Sequence, residues 1–241
     1  MQVVSFIWRA KYGHFLKAGA NRNALTYSIP PKTTVIGLLG AILGLEKTEA
    51  QTKLSPLIAI SGSPAQKFWH KTILRKDPPV ALPYTVTGKM AGMKSPRPEK
   101  GTLVNQEWLW KPSFLVSVAL PDQEDIFQEL EKRLKNQQWH FSPVMGLAFL
   151  IAHLDYEGTS RAVPLSEGEY EINSFFPQYL GTLSATNSDS DSVVQLIRMP
   201  VGLDSERIFQ HENIYLERTG KAISVHTSNA WQVESRKLIF F

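Results

Sequence analysis

The alternation of apolar and polar positions predicts strands and helices in regular succession over the first two thirds of the chain. Four segments are rich in β-branched and aromatic residues, a composition that favours strands: residues 3–9, 56–61, 67–75 and 113–120. A fifth strand is predicted within residues 146–155, after a turn.

Two helices are predicted between these strands. Pro31 precedes a nearly unbroken apolar run over residues 33–45, and proline is tolerated in the first turn of a helix. After Pro121, apolar side chains spaced three and four apart share one helical face. We therefore expect a buried first helix and an amphipathic second helix.

Residues 77–111 differ in composition from the segments around them, with five prolines, three glycines and repeated Lys and Arg. This composition predicts an inserted hairpin or loop excursion rather than core. Residues 156–241 contain short Val, Ile, Phe and Tyr runs broken by Gly, Pro and Ser, which predict added β structure.

The order strand, helix, strand, excursion, strand, helix, strand predicts an α+β fold with the ferredoxin-like βαββαβ plan. We expect a domain over residues 1–155, with a basic thumb hairpin inserted at about 77–111. Residues 156–241 are predicted to form a C-terminal β-rich extension packed on it.

Composition excludes several classes of protein. The 241 residues contain no Cys, which excludes disulfides, thiolate metal sites and a cysteine nucleophile. No two of the six His lie within five residues of each other, so the sequence predicts no metal and no cofactor. The longest apolar run is about half of the roughly twenty residues that cross a bilayer. Because the first residues also lack a signal-peptide pattern, we predict a cytoplasmic protein without membrane contact.

The net charge of +4 conceals a strong asymmetry. Residues 1–111 hold 16 Lys and Arg against 5 Asp and Glu, whereas residues 112–241 hold 10 against 17. A basic half joined to an acidic half indicates a polyanion as one partner and other molecules as the rest.

The first basic segment contains no acidic residue between positions 1 and 32. It leads into the first predicted helix, whose N-terminal N–H groups favour anions. We expect contacts with a nucleic-acid backbone, and base stacking on an aromatic ring, from this set: Arg9, Lys11, Tyr12, His14, Lys17, Asn21, Arg22, Lys32, Thr33 and Thr34.

The second basic segment is the excursion with its flanks, where Trp69, Tyr84 and Trp110 are interleaved with cations. Cations beside aromatic rings suit single-stranded nucleic acid, because phosphates are neutralised while bases stack. The candidates are Lys71, Arg75, Lys76, Lys89, Met90, Lys94, Arg97, Lys100, Trp108 and Lys111. The alternative is a solvated surface hairpin whose tryptophans belong to the core.

Three glycines, Gly37, Gly40 and Gly44, share one face of the first predicted helix. Each costs about 1 kcal/mol relative to alanine in a helix, so a close contact should compensate. We predict tight packing on the protein's own sheet, with close approach to another backbone as the alternative.

One enzymatic alternative remains. Tyr27, His70 and Lys71, with His14 as another base, are the groups that metal-independent RNA cleavage at a 2′-hydroxyl requires. Nothing in their spacing demands that reaction.

Two stretches resemble a known family. Residues 27–45, YSIPPKTTVIGLLGAILGL, are similar to the Pro-Pro and glycine-rich helix of the CRISPR-associated Cas-five family. Residues 141–152, FSPVMGLAFLIA, resemble that family's later Pro-x-x-Gly segment. The stretches cover about an eighth of the chain, and their order and separation also fit the family.

The resemblance implies an RRM-like fold of the RAMP superfamily and a place in Cascade, the type I surveillance complex of antiviral defence. It implies binding of the 5′ handle of the CRISPR RNA and contacts with the large subunit and the first backbone subunit. Target DNA is then met only indirectly. The 77–111 excursion would be the family's thumb, and subtype I-B or a related one is the candidate subtype.

We therefore predict a non-catalytic RNA-binding subunit. The alternatives are a metal-independent endoribonuclease that processes precursor CRISPR RNA, as the subtype I-C member does, and a purely structural scaffold. The Trp69-His70-Lys71 sequence does not clearly match the order of the subtype I-C set, so no catalytic role is transferred.

Overall fold

The computed structural model describes residues 1–17, 23–74, 102–184, 192–204, 206 and 208–241. The strands in chain order are β1 (Gln2–Ala10), β2 (Tyr12–Gly13), β3 (Asn23–Ala24), β4 (Leu57–Ser61), β5 (Gln66–Leu74), β6 (Thr102–Trp110), β7 (Ser113–Ala119), β8 (Ala152–Arg161), β9 (Val163–Pro164), β10 (Gly168–Ile172), β11 (Ser174–Pro177), β12 (Thr182–Leu183), β13 (Val194–Leu203), β14 (Phe209–Glu217), β15 (Ile223–Thr227), β16 (Ala230–Val233) and β17 (Arg236–Ile239). The helices are α1 (Lys32–Leu43), α2 (Lys47–Lys53) and α3 (Glu124–Asn136), and a 3₁₀ turn covers Gln178–Leu180.

The central sheet has the strand order β13-β14-β11-β4-β7-β1-β8, and each neighbouring pair is antiparallel. Its β4-β7-β1-β8 part, with α1 between β1 and β4 and α3 between β7 and β8, is the ferredoxin-like plan. The predicted βαββαβ order and α+β class are therefore confirmed. The short helix α2 was not predicted.

Helices cover one face of this sheet. Phe6 and Trp8 of β1 are fully buried in the main core, together with Leu39 of α1 and Leu130 of α3. Alternate positions of β1 point to the opposite face. There Val3 packs in a second core with Val233 and Leu238, so β16 and β17 cover part of that face.

The C-terminal β structure is confirmed, and part of it extends the central sheet. Ser174 of β11 pairs with Ser61 of β4, and β14 pairs with β11 in turn. Strand β8 runs to Arg161, so the expected domain boundary at residue 155 falls inside a strand.

The insertion between β4 and β7 lies in a sheet separate from the central one. Strands β5 and β6 make an antiparallel hairpin from the Gln66–Trp110 pair to the Leu74–Thr102 pair. Strand β6 also pairs with β2 and β3, which attach the base of the hairpin to the first basic segment. The hairpin therefore includes residues 66–74, before the expected start at 77, and residues 75–101 lie outside the described residues.

In the described part of the chain, no helix is long and apolar enough to cross a membrane.

Candidate nucleic-acid interface

An aromatic cluster covers one face of the β5–β6 hairpin. Because strand side chains alternate between faces, the register places Phe68 and His70 beside Trp108 and Trp110. The ring of Tyr12, from β2, lies 5.5 Å from that of Trp108 and 5.4 Å from that of Trp110, measured between centroids. The tilted and edge contacts are those that aromatic rings prefer. The hairpin thus presents a preformed aromatic surface, here called the aromatic face.

Two contacts extend the aromatic face. The imidazole of His70 stacks on the indole of Trp108, with centroids 4.1 Å apart and ring planes at 29°. Phe149, from the loop before β8, lies 6.0 Å from Trp108 on the same cluster.

Lysines flank this face. Lys11 Nζ lies 5.4 Å from the centroid of Tyr12, and Lys111 Nζ lies 5.6 Å from that of Trp110. The side chains of Lys11 and Lys111 are exposed, and Trp110 is 41% exposed. An accessible indole beside unburied cations can stack a base while the cations meet its phosphates.

The opposite face of the hairpin is anchored to the domain by a polar network. Lys67 Nζ lies 3.0 Å from Glu107 Oε2 and donates to the Thr26 carbonyl at 2.7 Å. Glu107 Oε2 also accepts from the Thr26 N–H at 2.9 Å. One carboxylate therefore joins β5, β6 and the segment that leads to α1.

His14 belongs to this anchor. Its Nδ1–H donates to the Glu107 carbonyl at 2.7 Å, and only 2% of the residue is exposed. Burial lowers the pKa of its imidazole, outweighing the contact with Glu107, which raises it. Because the His14 side chain is enclosed, we expect it to hold the base of the hairpin in place and not to contact RNA directly.

Two lysines of the first basic segment lie against aromatic rings. Lys17 Nζ is 5.3 Å from the centroid of Tyr27, and its pKa is lowered by burial and by the charge of Lys67. Lys32 Nζ is 5.6 Å from the centroid of Phe241, and burial lowers its pKa. Both cations are partly enclosed, so they are less accessible than Lys11 and Lys111.

Arg9 is on the central sheet, where it pairs with Ser113. Its guanidinium hydrogen-bonds the carboxylate of Asp155, which raises the pKa of Arg9 and lowers that of Asp155. Glu157, Glu234 and Arg236 line a small cavity farther along this face. The ion pair with Asp155 partly neutralises Arg9, whose side chain nevertheless stays 56% exposed.

The structure does not bring the alternative catalytic residues together. His70 and Lys71 are consecutive in β5 and point to opposite faces of the hairpin. Tyr27 is packed in the main core, and burial raises the pKa of its hydroxyl.

The remaining candidates divide into two groups. Thr33 and Thr34, in the first turn of α1, line an open groove. Lys71 is exposed on the face of the hairpin opposite the aromatic face. The rest lie outside the described residues: Asn21, Arg22, Arg75, Lys76, Lys89, Met90, Lys94, Arg97 and Lys100.

The glycines of α1 do not pack on the sheet, so that prediction was wrong. A Cβ at Gly40 would overlap that of Ala50, which shows that Gly40 permits close packing of α1 on α2. Gly44 ends α1 with a positive φ of 82° beside His140. Gly37 has no neighbour within 4 Å of its added Cβ position.

Gly146, in the second stretch that resembles the family, is required by backbone geometry. Its φ is +95°, and an added Cβ would overlap the carbonyl of His14. The neighbouring Met145 carbonyl accepts from the His14 N–H at 3.0 Å. This stretch therefore positions β2 and, through it, the base of the hairpin.

Sequence reasoning missed Phe68, Phe149 and the Lys67–Glu107 pair. The alternation of Phe68 with His70 and of Trp108 with Trp110 is a period-two signal that could have predicted a shared face. The position of Phe149 depends on tertiary packing, which no local pattern predicts.

A family model described as CRISPR-associated protein (Cas_Cas5) matches residues 13–156. A chain of a CRISPR RNA-guided surveillance complex superposes with a TM-score of 0.53 at 13% identity, covering 91% of each chain. A CRISPR protein from Archaeoglobus fulgidus superposes with a TM-score of 0.57 at 12% identity, covering 100% of this chain and 99% of the other. At these identities the structural likeness shows a shared fold. No curated protein matches the sequence.

Proposed function

Since the chain belongs to the CRISPR-associated protein (Cas_Cas5) family, we propose that it is a non-catalytic, RNA-binding subunit of a type I CRISPR surveillance complex. It binds the 5′ handle of the CRISPR RNA in the cytoplasm. It also contacts the large subunit and the first backbone subunit, and it meets target DNA only through the complex.

The aromatic face of the hairpin carries this proposal. Trp110 and Tyr12 stand beside Lys111 and Lys11, which combines base stacking with phosphate neutralisation. Stacking does not depend on base identity, so recognition of the handle requires further contacts. These come from the cations at positions 75–100, which lie outside the described residues, and from the lysines of the first basic segment; we assign them on charge alone.

The placement of Tyr27, His70 and Lys71 argues for binding rather than cleavage. General acid–base catalysis requires the groups to converge within hydrogen-bond reach of one phosphate. His70 and Lys71 face opposite sides of the hairpin, and His70 is held by its stack on Trp108.

The first experiment measures binding. Purified protein is titrated into labelled guide RNA with an intact 5′ handle and into the same RNA with a scrambled handle, at several salt concentrations. We expect tighter binding to the intact handle and a steep loss of affinity with salt. Equal affinity for the two RNAs contradicts handle recognition.

A second binding assay tests the thumb assignment. The Lys94→Ala, Arg97→Ala, Lys100→Ala triple variant should retain less guide RNA after purification than wild type. Guide retention equal to wild type would remove these residues from the proposed interface.

The third experiment tests catalysis. Protein and labelled repeat RNA are incubated in EDTA, and we expect the RNA to remain intact. A single discrete cut that is lost in the His70→Ala variant would show that the protein is an endoribonuclease and not a non-catalytic subunit.

A further inference from the structure

An open groove runs along α1 on the side of the molecule where Gly37 lies. Its volume is about 840 Å³, and three parts of the chain line it: α1 with the start of α2, residues 141–148, and the end of the β13–β14 hairpin. The groove is in the upper part of the 300–1,000 Å³ range of ligand sites in proteins.

No contact within the described part of the chain explains Gly37. It lies in the interior of α1, where glycine is unfavourable, and nothing comes within 4 Å of its added Cβ. Gly40 and Gly44, in contrast, are explained by Ala50 and by the end of the helix. Thr33, Gly37 and Ala41 are spaced four apart and all line the groove, so they form a shallow ridge along α1.

Two large aromatic side chains that line the groove are about half exposed to solvent. Phe141 is 46% exposed and Phe209 is 49% exposed, and both belong to the lining. Leu203, Val144 and Ala148 continue the apolar wall. Exposed apolar surface of this kind marks a site where another molecule binds.

The charge of the groove distinguishes between the possible occupants. Among the described residues that line it, Glu46 alone is charged, and it is acidic. An RNA backbone requires cations, which the described residues present on the hairpin and not along this groove. The apolar wall and the single carboxylate complement an apolar protein segment that carries a Lys or Arg.

We propose that this groove receives an apolar helix of a neighbouring protein subunit, packed against Gly37 and with a basic side chain near Glu46. The inference rests on the proposed membership of a multi-subunit complex, and it assigns that contact to a surface separate from the aromatic face. A missing side chain at Gly37 lets the backbone of the partner helix approach α1 closely, as small residues do at close helix crossings.

Site-specific cross-linking tests the occupant. p-Benzoylphenylalanine is placed at Phe141 in the chain co-expressed with its CRISPR array and the other subunits, and the purified complex is irradiated and mapped by mass spectrometry. We expect a cross-link to an apolar segment with a nearby Lys or Arg in one protein subunit. A cross-link to RNA, or none in an intact complex, overturns the proposal.

Matched variants at one position test the role of the groove. Gly37→Trp fills the open space, whereas Gly37→Ala adds one methyl group at the same site. We expect Gly37→Trp to reduce recovery of the assembled complex at least tenfold and Gly37→Ala to stay within twofold of wild type. Recovery of Gly37→Trp at the wild-type level contradicts the inference.

Two controls separate the possible failures. The melting temperature of each variant establishes that it is folded, and Phe141→Glu repeats the test at an exposed position should Gly37→Trp be unstable. Handle-RNA affinity of the isolated chain should be unchanged in all three variants. If the wild-type chain does not bind handle RNA, the proposed function is refuted. If the folded variants assemble normally, only the proposal that the groove receives a partner helix is refuted.

Discussion

Lys67 Nζ lies 3.0 Å from Glu107 Oε2 and thereby ties the two strands of the hairpin together at their base. The pair is diagonal across the ladder, since Lys67 is opposite Leu109 and Glu107 is opposite Trp69. Its side chains are 31% and 17% exposed, so solvent screens it less than a surface pair.

We therefore predict measurable coupling between Lys67 and Glu107. Glu107→Gln weakens the pair and the bond to the Thr26 N–H, and should lower the free energy of unfolding by about 1–3 kcal/mol. A double-mutant cycle with Lys67→Met, followed by urea denaturation, should give a coupling energy of at least about 0.5 kcal/mol.

The exposed pair of Lys53 and Glu49 in α2, with N–O at 2.7 Å, is the control for that cycle. Its coupling should be about 0.3–0.5 kcal/mol, the usual value for such helix pairs. Coupling at Lys67–Glu107 that is no larger would mean that the pair does not anchor the hairpin.

Trp110 should contribute to RNA affinity through stacking. Trp110→Ala should weaken binding of single-stranded handle RNA by about 1–3 kcal/mol, roughly 5- to 150-fold, in a fluorescence anisotropy titration. Trp110→Phe keeps an aromatic ring and should retain most of the affinity. Equal losses in the two variants would indicate damage to the hairpin rather than loss of a stacked base.

The accessible lysines should determine part of the salt dependence. Each phosphate neutralised on a single strand contributes about 0.7 to the slope of log K against log salt. Replacing Lys11 and Lys111, which flank the aromatic face, together by Gln should thus reduce the slope by about 1.4. The partly enclosed Lys32 is the comparison, and Lys32→Gln should change the slope less. A change in slope as large as the average for each accessible lysine would show that enclosure does not reduce phosphate contact.

Two glycines in one helix should respond oppositely to the same substitution. Gly37→Ala should stabilise the protein by up to about 1 kcal/mol, because helix propensity improves and nothing obstructs the methyl group. Gly40→Ala should destabilise it, because the methyl group would overlap Ala50 and force α1 from α2. Thermal or urea unfolding of both variants measures the signs, and stabilisation by both would refute the close α1–α2 packing.

Glu217 should contribute to stability at neutral pH. The residue is buried and accepts four hydrogen bonds, from the Val193 and Lys221 N–H groups and from the N–H and hydroxyl of Thr219. Burial alone would raise the pKa of its carboxyl, but these bonds outweigh it and lower the pKa.

Because the folded pKa lies below the unfolded value of about 4.3, the stabilisation is complete above that value and is lost as the pH falls through the folded pKa. Glu217→Gln should cost about 1–3 kcal/mol at pH 7 and flatten the decline below pH 4. Urea denaturation between pH 2 and 7 measures both effects. The exposed Glu171→Gln should change neither, and an unchanged decline in Glu217→Gln would mean that other carboxyls dominate.

The fold of the first two thirds was predictable because its strands and helices have clear periods. The apolar run of α1 and the strand at residues 113–119 are dictated by local composition. The attachment of β11 to β4 was not predictable, since it joins Ser174 to Ser61 and no short-range pattern encodes that distance.

The sequence predicted that the interface binds nucleic acid, but it did not predict correctly which residues form it. Charge and aromatic content indicated a nucleic-acid partner. They also identified Trp108, which belongs to the aromatic face, and Lys111, which flanks it. The enclosure of His14 and the pairing of Arg9 with Asp155 arise from tertiary contacts, so composition counted both as available. Charge along a sequence reports where cations occur, whereas burial decides which of them can meet a phosphate.

The pairing of β4 has a consequence for synthesis of the chain. Its outer edge, which includes Ile58 and Ile60, is completed by Phe175 and by Phe241, and Ile58 and Phe241 exchange backbone hydrogen bonds of 3.1 Å. On the ribosome, this apolar edge remains open from the emergence of β7 until those late residues arrive. Unpaired apolar edges are templates for aggregation, and long-range pairings form slowly. We therefore expect the nascent chain to be most prone to aggregation during this interval.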